Sequence, residues 1–216
     1  RHFSFVFIVA VNSEADTYTL PTSREIRERI DSSNKERTRN CLRLQFLTAS
    51  RISEIAGPKG IQGRNLQLTS HEGHPVAVFT IKVAKTKGRV KAAALPMEPQ
   101  YEPWASSLVE YFKRIQPNQL AFDLSTTMVS RDSHELFKGL YYPIEEYGDV
   151  AGHWRPLCTH GLRHLRATEL SMYYGFDELD VKIMSGWKFP AGQVASRYVH
   201  LHWSRYLSKL LKPLPT

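Results

Sequence analysis

The last third of the chain carries residues able to act on a phosphodiester: His160-Gly161-Leu162-Arg163-His164, then Gly186-Trp187, then Arg197-Tyr198-Val199-His200. A guanidinium fork matches phosphate oxygens better than a lysine point charge does, and a neighbouring imidazole can donate a hydrogen bond or move a proton. An indole offers one N–H donor and no proton transfer, while a tyrosine oxygen can serve as a nucleophile. His160 and Arg163 stand three apart, so on a helix they share a face and reach one bound anion. A second constellation, Thr48-Ala49-Ser50-Arg51-Ile52-Ser53-Glu54, lies far upstream, as a site assembled by folding requires. There Arg51 and Glu54 are also three apart, and the carboxylate can orient the guanidinium while leaving its other donors free.

The elements that must position these groups are read from period and punctuation. Residues 12–23 are polar and turn-rich and read as a linker, with Thr22 or Ser23 capping a helix that has Glu25 in its first turn. Helical patterning follows over 37–47 and 50–56, stopping at Gly57-Pro58. The period then changes, and 65–70, 76–85 and 89–95 read as strands separated by Gly73 and by Lys87-Gly88, a small antiparallel three-stranded sheet. Beyond Pro96 the pattern is helical to the end, with segments at 104–115, 135–142, 162–174, 179–185, around Val194 and from Trp203 onward. The fold class is mostly α with that small sheet, an α+β domain.

With 216 residues, 42% hydrophobic and 23% charged, the composition is that of one globular domain. The formal net charge of +8, from 29 Lys and Arg against 21 Asp and Glu, favours a polyanionic partner, nucleic acid before an anionic membrane. Two cysteines, Cys41 and Cys158, do not make a disulfide scaffold and fit a reducing compartment. The apolar run Phe5–Val11 is far shorter than the roughly 20 residues that span a bilayer, and it reads as a strand or a remnant of an upstream segment, residues 1–21. The start at Arg1 suggests a fragment of something longer. Neither a Walker-type phosphate loop nor acidic pairs suited to two-metal chemistry is evident. His153, Cys158, His160 and His164 match no compact zinc spacing, and Arg163 would repel a cation there.

The segment His160-Gly-Leu-Arg163-His164-Leu-Arg-Ala167-Thr168 resembles the His-x-Leu-Arg-His-x-x-Ala-Thr box of the tyrosine recombinases, the phage integrase family. Thr48-Ala-Ser-Arg51-Ile-Ser-Glu54 is similar to that family's first arginine box, usually Thr-Gly-x-Arg-Ile-Ser-Glu. The resemblance covers roughly residues 22–212. It implies the family's catalytic-domain fold over 22–216 with a C-terminal tail helix, and no room for the usual separate core-binding domain. It implies a site-specific recombinase that cleaves and rejoins DNA through a 3′-phosphotyrosyl link, with neither ATP nor metal and no other cofactor. Arg51 and Arg163 would clamp the scissile phosphate, with His160 assisting as donor or proton acceptor. Lys85, in the turn between the second and third strands, would protonate the leaving 5′ oxygen, with Lys87 as the alternative. Trp187 stands where many members carry a histidine, and Tyr198 would be the nucleophile. The eleven positions from Trp187 to Tyr198 are about two more than is common, which leaves the placement of the nucleophile's helix open.

The implied partners are double-stranded DNA and further copies of the chain, as dimers or tetramers on that DNA, with no membrane and a cytoplasmic or nucleoid-associated location. A type IB topoisomerase or telomere resolvase shares the constellation, and a DNA-binding module without catalysis would need only the charge. Tyr173, Tyr174 and Tyr206 lie in apolar helical patterns and read as core. The tail stripe Trp203, Tyr206, Leu207, Leu210, Leu211 can fold back on its own domain or dock on a neighbouring recombinase, and deletion of residues 204–216 is expected to leave the domain folded but to weaken assembly on DNA and alter cleavage.

Overall fold

The computed structural model describes residues 18–84, 88–144, 153–187 and 202–215. Helix α1 (Ser23–Asp31) starts where expected, because the Thr22 hydroxyl accepts a hydrogen bond from the Glu25 amide at 3.1 Å. It lays Ile26 and Ile30 on α2 (Glu36–Leu47), whose residues from Cys41 on are buried except for Arg43. Helix α2 is the spine of the domain and also packs on α4 (Pro103–Lys113) and α6 (Thr159–Met172). Close after it comes the single turn α3 (Ile52–Ile55).

The predicted sheet is present as β1 (Leu66–His71), β2 (His74–Lys82) and β3 (Val90–Pro96), antiparallel in the order β1-β2-β3. Strand β2 pairs on both sides and buries Val76, Ala77, Val78 and Phe79 in succession, so it is covered on both faces. Helix α7 (Glu178–Ser185) and helix α8 (Ser204–Leu210) pack against β3.

The helical reading beyond Pro96 needs correction at its centre. The segment predicted as a helix over 135–142 is instead the end of α5 (Thr126–Leu136) followed by strand β4 (Tyr141–Ile144), paired antiparallel with β5 (His153–Pro156). Ser125 caps α5 a full two turns upstream of that reading, its hydroxyl accepting from the Met128 amide at 3.1 Å. Gly139 then takes φ 85°, a left-handed conformation that stops the helix, and the Tyr-Tyr-Pro-Ile run that follows has strand rather than helix preferences. Tyr141 and Trp154 of this ribbon both contact the ring of Tyr18, at centroid distances of 4.4 and 5.7 Å.

One further reading changes and another is decided. Tyr173 is exposed and donates from its hydroxyl to the Pro213 carbonyl at 2.8 Å, whereas Tyr174 and Tyr206 are core. The tail stripe is used within its own domain: Tyr206, Leu207 and Leu210 are buried, and the Tyr206 hydroxyl accepts from the Ala94 amide of β3 at 2.9 Å. Asp180 of α7 reinforces the docking, because its buried carboxylate binds Arg205 Nε at 2.8 Å and Lys209 Nζ at 2.5 Å. The predicted segment around Val194 lies outside the described residues. Among the described residues no helix is long and apolar enough to cross a membrane.

Candidate active site

The upstream half of the site begins where α2 ends. Thr48 closes the helix, its hydroxyl donating to the Leu44 carbonyl at 2.7 Å, and Ala49 takes φ 47° although it has a side chain. That left-handed step reverses the chain, the Ser50 amide returns to the Gln45 carbonyl at 3.1 Å, and Arg51 emerges as the residue before α3. Glu54 holds Arg51 at two points. Its carboxylate accepts from the Arg51 amide at 3.0 Å and from Nη1 of the guanidinium at 3.1 Å. The Glu54 side chain is fully buried and the Arg51 side chain is 37% exposed, so the remaining donors of Arg51 face outward.

The downstream half is fixed to the first through Gln45, whose amide donates to the Thr159 carbonyl at 2.6 Å and pins the start of α6 to α2. His160 stands in the first turn of α6, where unpaired backbone N–H groups favour an anion. Arg163 follows one turn later, with Nη1 3.7 Å from the Glu54 carboxylate and Nη2 donating to the Ser185 carbonyl at 3.4 Å. Its guanidinium lies 5.4 Å from the Trp187 ring centroid. Arg163 is buried, yet its Nη1 has no hydrogen-bond partner. Loss of solvent and the adjacent Arg51, only partly offset by Glu54, bring the guanidinium down to about 10.

Trp187 is half-buried at the end of the turn after α7, where its carbonyl accepts from Arg89 at 3.4 Å. Gly186 makes that turn with φ 72°, and a Cβ there would stand 2.8 Å from a Val83 methyl, so both the conformation and the close approach to the sheet require glycine. His160 is exposed, and its Nε2 lies 3.0 Å from Nε2 of His164, so one ring must donate and the other accept. Partial desolvation, then Arg163, Arg51 and Arg155, hold the His160 imidazole below its ordinary value, which suits a neutral proton acceptor.

Thus Arg51, His160, Arg163 and Trp187 come together. Lys85, Lys87 and Tyr198 lie outside the described residues. Ala84, the residue before the strand-connecting turn, donates its amide to Glu54 at 3.0 Å, so the β2 end of that turn is held at the same carboxylate. Beside it, a cavity of about 280 Å³ is lined by Glu54, Lys59, Arg64, Thr80 and Lys82 among others.

No protein-family model and no curated protein sequence matches the chain. Among solved structures it is similar to the XerH site-specific recombinase bound to difH substrate in a pre-cleavage complex, at 17% identity and a TM-score of 0.51 over 89% of this chain. The chain has the fold of a tyrosine recombinase catalytic domain. A lambda integrase tetramer bound to a Holliday junction is similar at 19% identity and a TM-score of 0.48 over 84% of this chain. The chain spans about half the length of each, 51% of the XerH chain and 50% of the lambda integrase chain.

Within this tyrosine recombinase-like domain, Lys91 joins the site without a motif to mark it. It is 5% exposed, and its Nζ donates to the Thr48 carbonyl at 2.9 Å, directly behind the turn that presents Arg51. Burial, opposed by Glu54 and assisted by Arg163 and Arg51, lowers its ammonium to about 7. A signal was present in the strand's period of two, because a lysine at 91 falls in step with the inward-facing Ala93 and Leu95. The cluster of Arg51, Arg163 and Lys91 therefore shares one buried carboxylate, Glu54, a local excess of positive charge that an anion would complete.

Proposed function

We propose that the chain is the catalytic domain of a site-specific recombinase that cuts and rejoins double-stranded DNA through a tyrosine. The observation that carries this reading is the convergence of Arg51 and Arg163, more than a hundred positions apart in sequence, on the carboxylate of Glu54, with Arg163 Nη1 buried and making no hydrogen bond. Two forks around a shared buried carboxylate suit the nonbridging oxygens of one phosphate and the extra charge of its pentavalent transition state.

In the reaction, the Tyr198 oxygen attacks phosphorus, its proton passes to His160, and the bond from phosphorus to the 5′ oxygen breaks with its electron pair going to that oxygen. Lys85 protonates the leaving oxygen, with Lys87 as the alternative donor, and Trp187 gives an N–H to a phosphate oxygen. The 3′-phosphotyrosyl link conserves the bond energy, so a 5′ hydroxyl from a partner strand reverses the step without ATP, metal or another cofactor. Exchange between two duplexes requires copies of the chain to assemble on DNA as dimers and tetramers. The positive net charge supports duplex binding at the backbone level.

The test uses duplexes of randomised sequence carrying a nick close to each candidate cleavage position, so that the cut fragment diffuses away and the protein remains attached. The 216-residue chain should yield denaturant-resistant adducts on a subset of sequences, and Tyr198→Phe should yield none while binding duplex DNA normally. Adduct formation by Tyr198→Phe, or none by the wild type, overturns the reading. A 5′-bridging sulfur should rescue Lys85→Ala and not Lys87→Ala, since a thiolate leaves without a general acid. The reverse pattern exchanges the two lysines.

A further inference from the structure

Three segments that carry the candidate site meet on one side chain that the chemistry above does not use. We infer that Lys91 is a positioning residue for strand cleavage: from β3 it holds the Thr48 carbonyl, and so the left-handed Ala49 turn that aims Arg51, against the Gly186 turn that carries Trp187. The inference rests on the recombinase reading, since it concerns that reaction.

The geometry leaves Lys91 little alternative role. Its Nζ donates to the Thr48 carbonyl at 2.9 Å, the residue is 5% exposed, and its Cδ would stand 3.1 Å from a Cβ at position 186. It therefore fills the space between the end of α2 and the end of α7. The Thr48 carbonyl belongs to the last turn of α2, where helix carbonyls lack intrahelical partners and the dipole favours a cation. Fixing it fixes Ala49, whose φ of 47° is a conformation that an alanine holds only when its surroundings impose it. Arg51 is two residues further on, and a shift of about 1 Å in a phosphate-clamping group costs roughly 100-fold in rate.

A purely structural lysine would be a poor choice for this place. An apolar side chain of the same length would fill the volume without desolvating a charge. The charged groups acting on Lys91 are Glu54 and Arg51 at the α3 turn and Arg163 from α6. Of the other elements packed on β3, β2 carries Lys82, which is exposed, and His74, which pairs with Glu98; Asp180 of α7 pairs with Arg205 and Lys209 of α8, Lys182 of α7 pairs with Glu178, and Tyr206 of α8 is bonded to the Ala94 amide. The ammonium is close to half-titrated near neutrality in the DNA-free protein. A phosphate seated on Arg51 and Arg163 adds negative charge nearby and shifts that titration upward. Protonation strengthens the bond to Thr48, so the aim of Arg51 is best below the Lys91 titration and loosens above it.

The decisive measurement is the single-turnover rate of covalent capture on a nicked duplex that the wild type cleaves, from about pH 6 to about pH 9, a span that brackets the titration. Lys91→Met keeps the volume and removes the donor, and Lys91→Gln keeps an N–H on a shorter arm. We expect Lys91→Met to slow capture by about 10- to 100-fold at the acid end, with Lys91→Gln between it and the wild type. Duplex affinity should be nearly unchanged in both. The wild-type rate should lose a component as pH rises that both variants lack, and a 5′-bridging sulfur should rescue neither variant. Thermal unfolding should place Lys91→Met at or above the wild type, and if it does not fold, Lys91→Gln carries the comparison.

Rates within twofold of the wild type at every pH overturn the inference, as does full rescue by sulfur, which would make Lys91 the proton donor itself. Absence of any wild-type adduct instead overturns the recombinase reading, and with it this inference.

Discussion

Arg27 and Arg163 are both buried guanidiniums, and they are finished to different degrees. Both terminal nitrogens of Arg27 bond to Glu102, at 2.9 and 2.7 Å, and its plane lies 4.4 Å from the Trp104 ring centroid. Glu102 also accepts from the Trp104 amide at 3.1 Å, capping α4. Arg27 leaves only its Nε without a hydrogen bond, whereas Arg163 has a single weak bond, from Nη2 to the Ser185 carbonyl, and its Nη1 faces a carboxylate at 3.7 Å that already serves Arg51. A fork spent on its own carboxylate joins elements, and a fork left open beside a second cation binds an anion. Lys91 and Arg51 belong with Arg163 on the open side of this division, whereas Asp180 with Arg205 and Lys209 belongs with Arg27.

The largest effect is expected on the closed side, from removal of residues 204–216. That deletion uncovers the apolar surface under Tyr206, Leu207 and Leu210, where each leucine alone is worth about 2–5 kcal/mol. It also leaves the buried Asp180 carboxylate without either cation. Set against total stabilities of about 5–15 kcal/mol, the truncated chain should lose its cooperative thermal transition. A truncated chain that melts cooperatively near the wild-type temperature would return the tail to a docking role between copies.

The comparison is broken most directly by removing each arginine in turn. Arg27→Met strands Glu102 and should cost about 3–5 kcal/mol, or roughly 6–20 °C in Tm, while the folded fraction captures DNA within a few-fold of the wild type. Arg163→Met takes away an under-compensated charge, so Tm should hold or rise, yet covalent capture should fall by about 100- to 1,000-fold or more. Calorimetry and the nicked-duplex assay on the same samples separate the two. Reversal of the pattern, with Arg27→Met inactive but stable, would show that burial and pairing do not sort these residues by role.

Much of this division was legible in the sequence, because boxes and periods are local. The strand boundaries, the Thr22 cap and the pairing of Arg51 with Glu54 follow from residues within a few positions of one another. What escaped depended on distance in space. The β4–β5 ribbon pairs segments whose individual patterns are short and ambiguous, and Tyr141-Tyr142 reads as a helix end until Gly139 is seen to stop α5. Lys91 escaped for the opposite reason: the alternation placed it inward, but its partner is a backbone carbonyl 43 positions away, and carbonyls leave no mark in composition. The cis packing of the tail was likewise undecided by its apolar stripe, and Asp180 decides it only once α7 and α8 are adjacent.

The smallest effect is expected at Ala49, where the chain departs from the glycine usual in the box it resembles. Its φ of 47° costs an alanine about 1–2 kcal/mol relative to glycine. Against that, Ala49→Gly forfeits a fully buried methyl, worth about 0.8 kcal/mol, and enlarges the unfolded ensemble by about 0.4–1 kcal/mol. These terms nearly cancel, so Ala49→Gly should change stability by less than about 1 kcal/mol and leave capture within twofold, because Lys91 still holds the Thr48 carbonyl. Ala49→Val is the contrasting probe. A β-branched residue resists the left-handed region, and position 49 is fully buried, so the turn must shift and carry Arg51 with it. Its Tm should fall and its capture rate should fall further than the lost stability explains. Equal behaviour of the glycine and valine variants would mean that the turn does not aim Arg51, and the open side of the comparison would then rest on Arg163 alone.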